Sequence, residues 1–211
     1  MPRRHPEPTN VSYITGNIRD LPDSSAATRW AGKADLVFNR LLVLGMRDWP
    51  GYVKEAAALV RPGGYVEMQD IVMSIWKRTV TAGSVTDVDL GREYTRAMAA
   101  AAEARGMDIA CGEKLAGWMK DAGLEIVEER VFPFPVGDWM AKEAPETLDM
   151  GMLFAEVTLP AMAPALKMMC GNTHNAEEIA RLQAEIMYDL AEENRYGKFA
   201  KYHVVVGRKA V

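Results

Sequence analysis

The sequence predicts an α/β fold, with parallel strands joined by a crossover helix and a helical segment inserted before the last strand. Three observations carry that expectation. "ADLVFNRLLVLGMRDWPGYVKEAAALVRPGGYVEMQD", Ala34 to Asp70, reads as strand, turn, helix, Pro-Gly-Gly turn and strand. Two further strand-like runs follow, Glu125 to Phe134 and Tyr202 to Arg208. The apolar, methionine-rich segment between them is far longer than a hairpin connection.

The elements follow in order. Val11 to Thr15 is a β-branched and aromatic stretch ending at Gly16, so it reads as a strand. Leu36 to Phe38 reads as a second, buried one. From Trp49 to Val60 the apolar positions Tyr52, Val53, Ala56, Leu59 and Val60 recur at helical spacing. Pro62-Gly63-Gly64 stops that helix and turns the chain into a strand at Tyr65 to Met68, which makes a crossover unit with parallel strands. A second helix opens at Thr86, with Asp87 and Asp89 in its first turn and Tyr94, Ala97, Met98 and Ala101 on one face. A shorter helix, Glu113 to Ala122, ends at Gly123 and leads into the Glu125 strand. Within the insertion, Glu146 to Met169 is apolar and broken by Pro160 and Pro164. Asn175 to Arg195 is a capped amphipathic helix with Ile179, Leu182, Ile186 and Leu190 inward. The expectation is one domain over 1–211, with 1–136 and 197–211 as sheet core and 137–196 as a helical cover.

Composition bounds the function. With 25 basic and 29 acidic residues, a net charge of -4 and no run of like charge, direct binding of nucleic acid is not expected. Two cysteines make neither a disulfide framework nor a metal site, and the opening Met-Pro-Arg-Arg-His-Pro lacks a signal peptide's apolar core. Apolar runs such as Leu41 to Met46 are too short to span a bilayer. A cytoplasmic location, with no membrane and no metal, is the expectation.

The Ala34 to Asp70 stretch, preceded by "VSYITGNIRDLP", resembles the third to fifth strands of class I S-adenosylmethionine-dependent methyltransferases. It is most similar to the fungal type that includes LaeA-like regulators and secondary-metabolite tailoring enzymes. Asp35, Arg40, Asp48, Trp49, Pro62, Gly63, Gly64 and Glu67 occupy the places of that family's pattern. The resemblance implies an α/β, truncated Rossmann-like class I methyltransferase sheet with a helical insertion before the last strand. It also implies a donor held over a glycine-rich turn after the family's first strand, with an acidic residue ending the second. No two of the 17 glycines here are separated by a single residue, so no Gly-x-Gly turn stands elsewhere in the sequence. Where the family has Gly-Asp after its third strand, Gly16-Asn17 stands, an acceptor without charge. No cofactor is therefore expected; if S-adenosylmethionine binds, Asn17, Ile18 and Asn39 are the residues implied.

Ligands of open α/β sheets bind beyond the carboxyl ends of the strands, where Arg40, Glu67, Gln69 and Asp70 fall. Arg40, Glu67 and Asp70 are candidate catalytic groups, against the plainer reading of salt bridges and helix contacts. His174, in a loop by the cover, is a candidate proton carrier, against an ordinary turn residue. Gln69, Trp76, Trp139, Met150, Met152, Phe154 and Met162 are candidates for a substrate pocket, since methionines adapt to apolar ligands as well as filling cores. Gly63-Gly64 and Trp49 read as structural.

Three readings follow. The first is a tailoring protein of secondary metabolism, derived from a methyltransferase, that assists a cyclisation or isomerisation of a hydrophobic small molecule without the usual donor site. The second is a methyltransferase whose donor site comes from a partner chain or a further N-terminal segment. The third is a non-catalytic interaction protein. In the family, two strands separate the third from the fourth, so Val11 to Thr15 is expected to find a neighbour by homodimerisation, by a partner chain or by pairing with the Leu36 strand.

Overall fold

The computed structural model describes residues 10–13, 15 and 30–211. Gly16, Asn17 and Ile18, implied at a donor site, lie outside them.

The crossover unit forms as its sequence dictates. Strand β1, Ala34–Arg40, leads to helix α1, Trp49–Leu59, and then to β2, Val60–Thr81, which runs parallel to β1. Asp48 opens α1 by accepting from Gly51 N, with Pro50 in the first turn where its missing N–H costs nothing. Trp49 is the anchor expected: it is buried and stacks on Trp118 with ring centroids 5.8 Å apart. Pro62-Gly63-Gly64, expected as a turn before a short strand at Tyr65 to Met68, instead lies inside β2, where the pairing with β1 shifts register, and its role is structural. Gly63 has φ +75, and a Cβ on Gly64 would lie 2.5 Å from the Val60 side chain and 3.0 Å from the Asp35 carbonyl.

Beyond that unit the outcome is mixed. Helix α2 begins at Glu93, not Thr86; it spans Glu93–Glu103 with Tyr94, Met98 and Ala101 buried as expected. Thr86, Asp87 and Asp89 lie instead in a strand, β3, Ser84–Asp89, hairpinned against the far end of β2. The two residues of its turn, Ala82 and Gly83, both have positive φ. Alanine is an unusual first residue there, so the usual turn signal was missing. Helix α3, Leu115–Asp121, and strand β4, Leu124–Pro135, follow. The insertion holds α4, Leu148–Leu153, a π-helical turn at Phe154–Thr158, α5, Leu159–Cys170, and α6, Ala176–Leu190. The wide turn precedes Pro160, which supplies no N–H to the regular ladder. A capping box of Asn175 and Glu178 opens α6, and Ile179, Leu182, Ile186 and Leu190 are its buried face. The short α7, Glu192–Arg195, takes the end of the stretch expected as one helix, and β5, Lys198–Lys209, closes the fold.

The main sheet order is β1-β2-β5-β4, with β3 off the end of β2. One face carries Val66, Met68 and Val205, all fully buried in a core shared with α1 and α3. The opposite face was expected to be covered; among the described residues nothing covers it at β1 and the start of β2. There Leu36 pairs with Tyr65 and Phe38 with Glu67, and Leu36, Phe38 and Tyr65 are 52%, 50% and 40% exposed. The reading of Leu36 to Phe38 as buried is corrected accordingly. Val11, Ser12, Tyr13 and Thr15 form no strand, so the expected strand is absent from its described part, and no described strand pairs with the outer edge of β1.

The cover lies over only part of the sheet, meeting β4 where Phe154 packs edge-on against Phe134. It packs on α2 and reaches the pocket beyond β1. Pro145–Cys170, taken as one helical stretch, is long and apolar enough to cross a membrane by length and composition, which the short apolar runs had not suggested. Its inward side, Phe154, Leu159, Leu166, Met169 and Cys170, is buried in the core.

The two faces should respond differently to mutation. Met68→Ala is expected to cost about 2–5 kcal/mol, whereas Phe38→Ser on the open face should cost no more than about 1 kcal/mol. Urea denaturation of the isolated chain checks both, and a cost for Phe38→Ser approaching that of Met68→Ala would mean that something covers that face.

Candidate functional site

An apolar cavity of about 360 Å³ lies just past the carboxyl end of β1. One wall is the turn after that strand, Leu41, Val43 and Leu44. The floor is the stretch Ile71 to Ile75 of β2, with Ala200 of β5 beside it. Tyr94 and Thr95 of α2 close a third side, and Phe154, Leu159 and Met162 of the cover form the roof. The cavity is of a size for a small organic ligand and is almost wholly hydrocarbon. The polar side chains in its lining are Ser74, Tyr94, Thr95 and Thr158. Tyr94 donates its hydroxyl to Asp189 at 3.1 Å, and burial pushes its pKa far up, so it stays a neutral phenol.

Two of the expected pocket residues, Phe154 and Met162, line this cavity. Met150, Met152, Trp76, Trp139 and Gln69 do not. Trp139 instead donates Nε1 to the Lys198 carbonyl at 2.7 Å and meets Tyr196 edge-on. Trp76 lies under the Lys201 ammonium, 3.1 Å from its ring centroid. The main walls come from Leu41, Val43, Ile71, Met73 and Leu159, none of them among the candidates from sequence. For Leu41 and Val43 the available signal was position, just after the end of β1; Ile71 and Met73 gave none, because β2 does not end near Met68 as expected but continues through Asp70 to Thr81.

Of the polar candidates, Glu67 and Gln69 form a chain with Tyr202 beside the cavity. Gln69 donates to Glu67 Oε1 at 2.5 Å, and the Tyr202 hydroxyl donates to Gln69 Oε1 at 2.9 Å. Arg40 is the strand partner of Gln69, and its charge, with those of Asp70 and Glu67, reaches the Tyr202 phenol, whose pKa is raised chiefly by burial. Phe134 stacks on Tyr202 and touches Phe154 edge-on, linking this polar chain to the cavity roof. His174 does not join them. It sits in the turn between α5 and α6, its Nδ1 3.0 Å from the Thr173 hydroxyl.

Asp70 is fully buried behind the cavity floor. Its Oδ2 accepts from Leu42 N at 2.8 Å and its Oδ1 from Ile71 N at 2.9 Å. Burial pushes its pKa up to about 6, against the pull of those N–H groups and of the Cys111 thiol. Across the ladder, His203 is buried with neither ring nitrogen bonded, and burial lowers its pKa. Gly112 leaves room for that ring: a Cβ there would lie 3.0 Å from His203 Cδ2.

Asn39 is the one residue implied for a donor that is among those described. It is buried, gives Nδ2 to the Tyr52 hydroxyl at 3.1 Å, and has an unbonded Oδ1. That single acceptor offers one hydrogen bond and no cradle, so the described residues do not by themselves fit a nucleoside donor. Among them, no three His, Cys, Asp or Glu side chains converge as metal ligands.

The methyltransferase-domain family profile matches residues 6–129, more than half of the sequence. The chain belongs to that family of methyltransferase domains, and its sheet of parallel and antiparallel strands is the α/β Rossmann-like fold of class I methyltransferases. It is 23% identical over 134 residues to methyltransferase pytC of Aspergillus terreus, 63% of this chain and 40% of that protein. It is 27% identical over 135 residues to N-methyltransferase sirN of Leptosphaeria maculans, 63% of this chain and 44% of that protein. The chain thus spans less than half the length of these curated relatives. Among solved structures it is similar to the [4+2]-cyclase SpnF, at 15% identity and TM-score 0.40, covering 86% of this chain and 52% of that one.

The two methionines singled out from the sequence should now separate. Met162→Lys puts a charge into the cavity and is expected to abolish fluorescence enhancement of a bound apolar dye, while Met152→Lys leaves it unchanged. Equal loss in both variants would place the ligand site elsewhere in the insertion.

Proposed function

We propose that this chain serves natural-product tailoring by holding a hydrophobic small molecule in the cavity beyond β1, and that the reaction served there is methyl transfer from S-adenosylmethionine. The observation that carries the proposal is the cavity itself, ligand-sized, apolar, and just past the carboxyl end of β1, the side on which open α/β sheets bind. Family membership and the names of the curated relatives support the reaction class. An apolar wall suits it: a nucleophile stripped of water and held in line needs little acid–base assistance. The described residues supply the acceptor side of such a reaction; the donor's cradle is not among them.

The cofactor-free cyclisation or isomerisation favoured by sequence alone now ranks second. It draws support from the missing Gly-x-Gly turn among the 211 residues. Against its proton-transfer form, Arg40, Glu67, Asp70 and His174 all lie outside the cavity lining. Confinement of a flexible substrate by shape is the form that remains. A partner chain, or a second copy, would find its seat on the open edge of β1 and the bare face beside it. The third reading, a non-catalytic interaction protein, draws on the same bare surface but leaves the cavity without a use.

The test is to incubate the protein with hydrophobic aromatic metabolites, with and without S-adenosylmethionine, and read products by mass. A gain of one methyl group that requires the donor is the expected result. An isomer of unchanged mass, formed equally without the donor, would reverse the ranking.

A further inference from the structure

The Leu41 to Leu44 turn is the one wall of the cavity that is neither helix nor strand. It is also held in a conformation its sequence does not favour. Leu41 has φ +53, a region in which leucine is rarely found, and the residue is 55% exposed. Such a residue persists only where its surroundings fix it. Two hydrogen bonds do so here. Leu41 N donates to the Gln69 carbonyl at 2.9 Å, and Leu42 N donates to Asp70 Oδ2 at 2.8 Å. The Leu42 carbonyl then accepts from Gly45 N and Met46 N, so the rest of the turn hangs from the residue that Asp70 holds.

We propose that Asp70 positions the Leu41 to Leu44 wall, so that an apolar ligand's hold on the cavity depends on a carboxylate that never touches it. This rests on the cavity being the ligand site. Asp70 is a positioning residue, and its control over the wall is linked to protons. Titratable and charged groups around it are the Cys111 thiol, which bonds it, His203 across the ladder, Arg40 and Glu67 toward Tyr202, and Asp108 beyond Cys111. Burial raises the Cys111 pKa and lowers that of His203, so both start from the neutral form at pH 7.

The sign of the linkage distinguishes this role from plain structural support. The folded Asp70 titrates at about 6 against an ordinary 3.8. Its burial cost is therefore present above that pH and relieved as pH falls through it, so Asp70 makes the fold more stable on acidification. Protonation also turns one acceptor oxygen into a donor, which loosens the bond to Leu42 N or Ile71 N. Affinity and stability should then move in opposite directions between about pH 7 and 5.

The probe is N-phenyl-1-naphthylamine, neutral across that range and small enough for the cavity, titrated by fluorescence alongside thermal melts. For the unmodified protein, affinity is expected to fall several-fold from pH 7.5 to 5 without a matching fall in melting temperature. Asp70→Asn, which keeps the shape but offers one acceptor, should bind about tenfold more weakly at pH 7.5 and show a flatter pH profile. If that variant does not fold, the profile of the unmodified protein decides alone. A flat profile, or full affinity in Asp70→Asn, overturns the assignment. No binding to the unmodified protein at any pH overturns both it and the cavity reading beneath it.

Discussion

The cavity exists because one buried carboxylate ties the cover to the sheet. Asp189 of α6 is fully buried and meets three donor residues from two distant parts of the chain. Arg92, before α2, gives Nε at 2.9 Å and Nη2 at 2.5 Å; Lys198, opening β5, gives Nζ at 2.6 Å; Tyr94 gives its hydroxyl at 3.1 Å. Removing one partner from such a cluster costs about 3–5 kcal/mol, because it strands a charge away from water. The apolar contacts of α5 and α6 are not directional and would tolerate sliding; the charge cluster fixes their place relative to Tyr94, and Tyr94 is a cavity wall.

The rest of the sheet shows an imbalance that bears on function. β1 carries apolar side chains on both sides, with Val37 beside the buried amide of Asn39 toward α1 and Leu36 and Phe38 outward. Parallel strands of that composition normally lie inside a sheet with both faces covered. Here the outward side is half exposed, and the strand is an edge among the described residues. The same strand delivers the Leu41 turn to the cavity. Whatever adds to this edge would stand next to the ligand site, which is why the donor question and the assembly question meet at β1.

The distribution of polar groups separates holding from reacting. Charge is concentrated at Arg40, Glu67 and Asp70, alongside the cavity but outside its lining, while the lining is hydrocarbon. That arrangement orients and desolvates an acceptor more readily than it moves protons within the cavity. The carboxylate nearest the wall, Asp70, spends both oxygens on backbone N–H groups. It shapes the site from behind.

The sequence alone determined the elements whose signals are local. The Asp-Trp-Pro start of α1, the capped start of α6 at Asn175 and the buried stripe of α6 each rest on spacing within a few residues, and each formed. The family pattern in Ala34 to Asp70 was legible for the same reason, since turn and strand-end residues carry it. What depended on distant partners was not legible. Thr86 to Asp89 has the composition of a helix start, yet becomes a strand because β2 extends to meet it. The pocket's residues come from stretches far apart in sequence, so Trp76, Trp139, Met150 and Met152 could not be told apart from Phe154 and Met162 by composition. Only the tertiary structure decided that Asp189 would gather Arg92, Tyr94 and Lys198, because a buried charge must find its partners in space, whatever their distance along the chain.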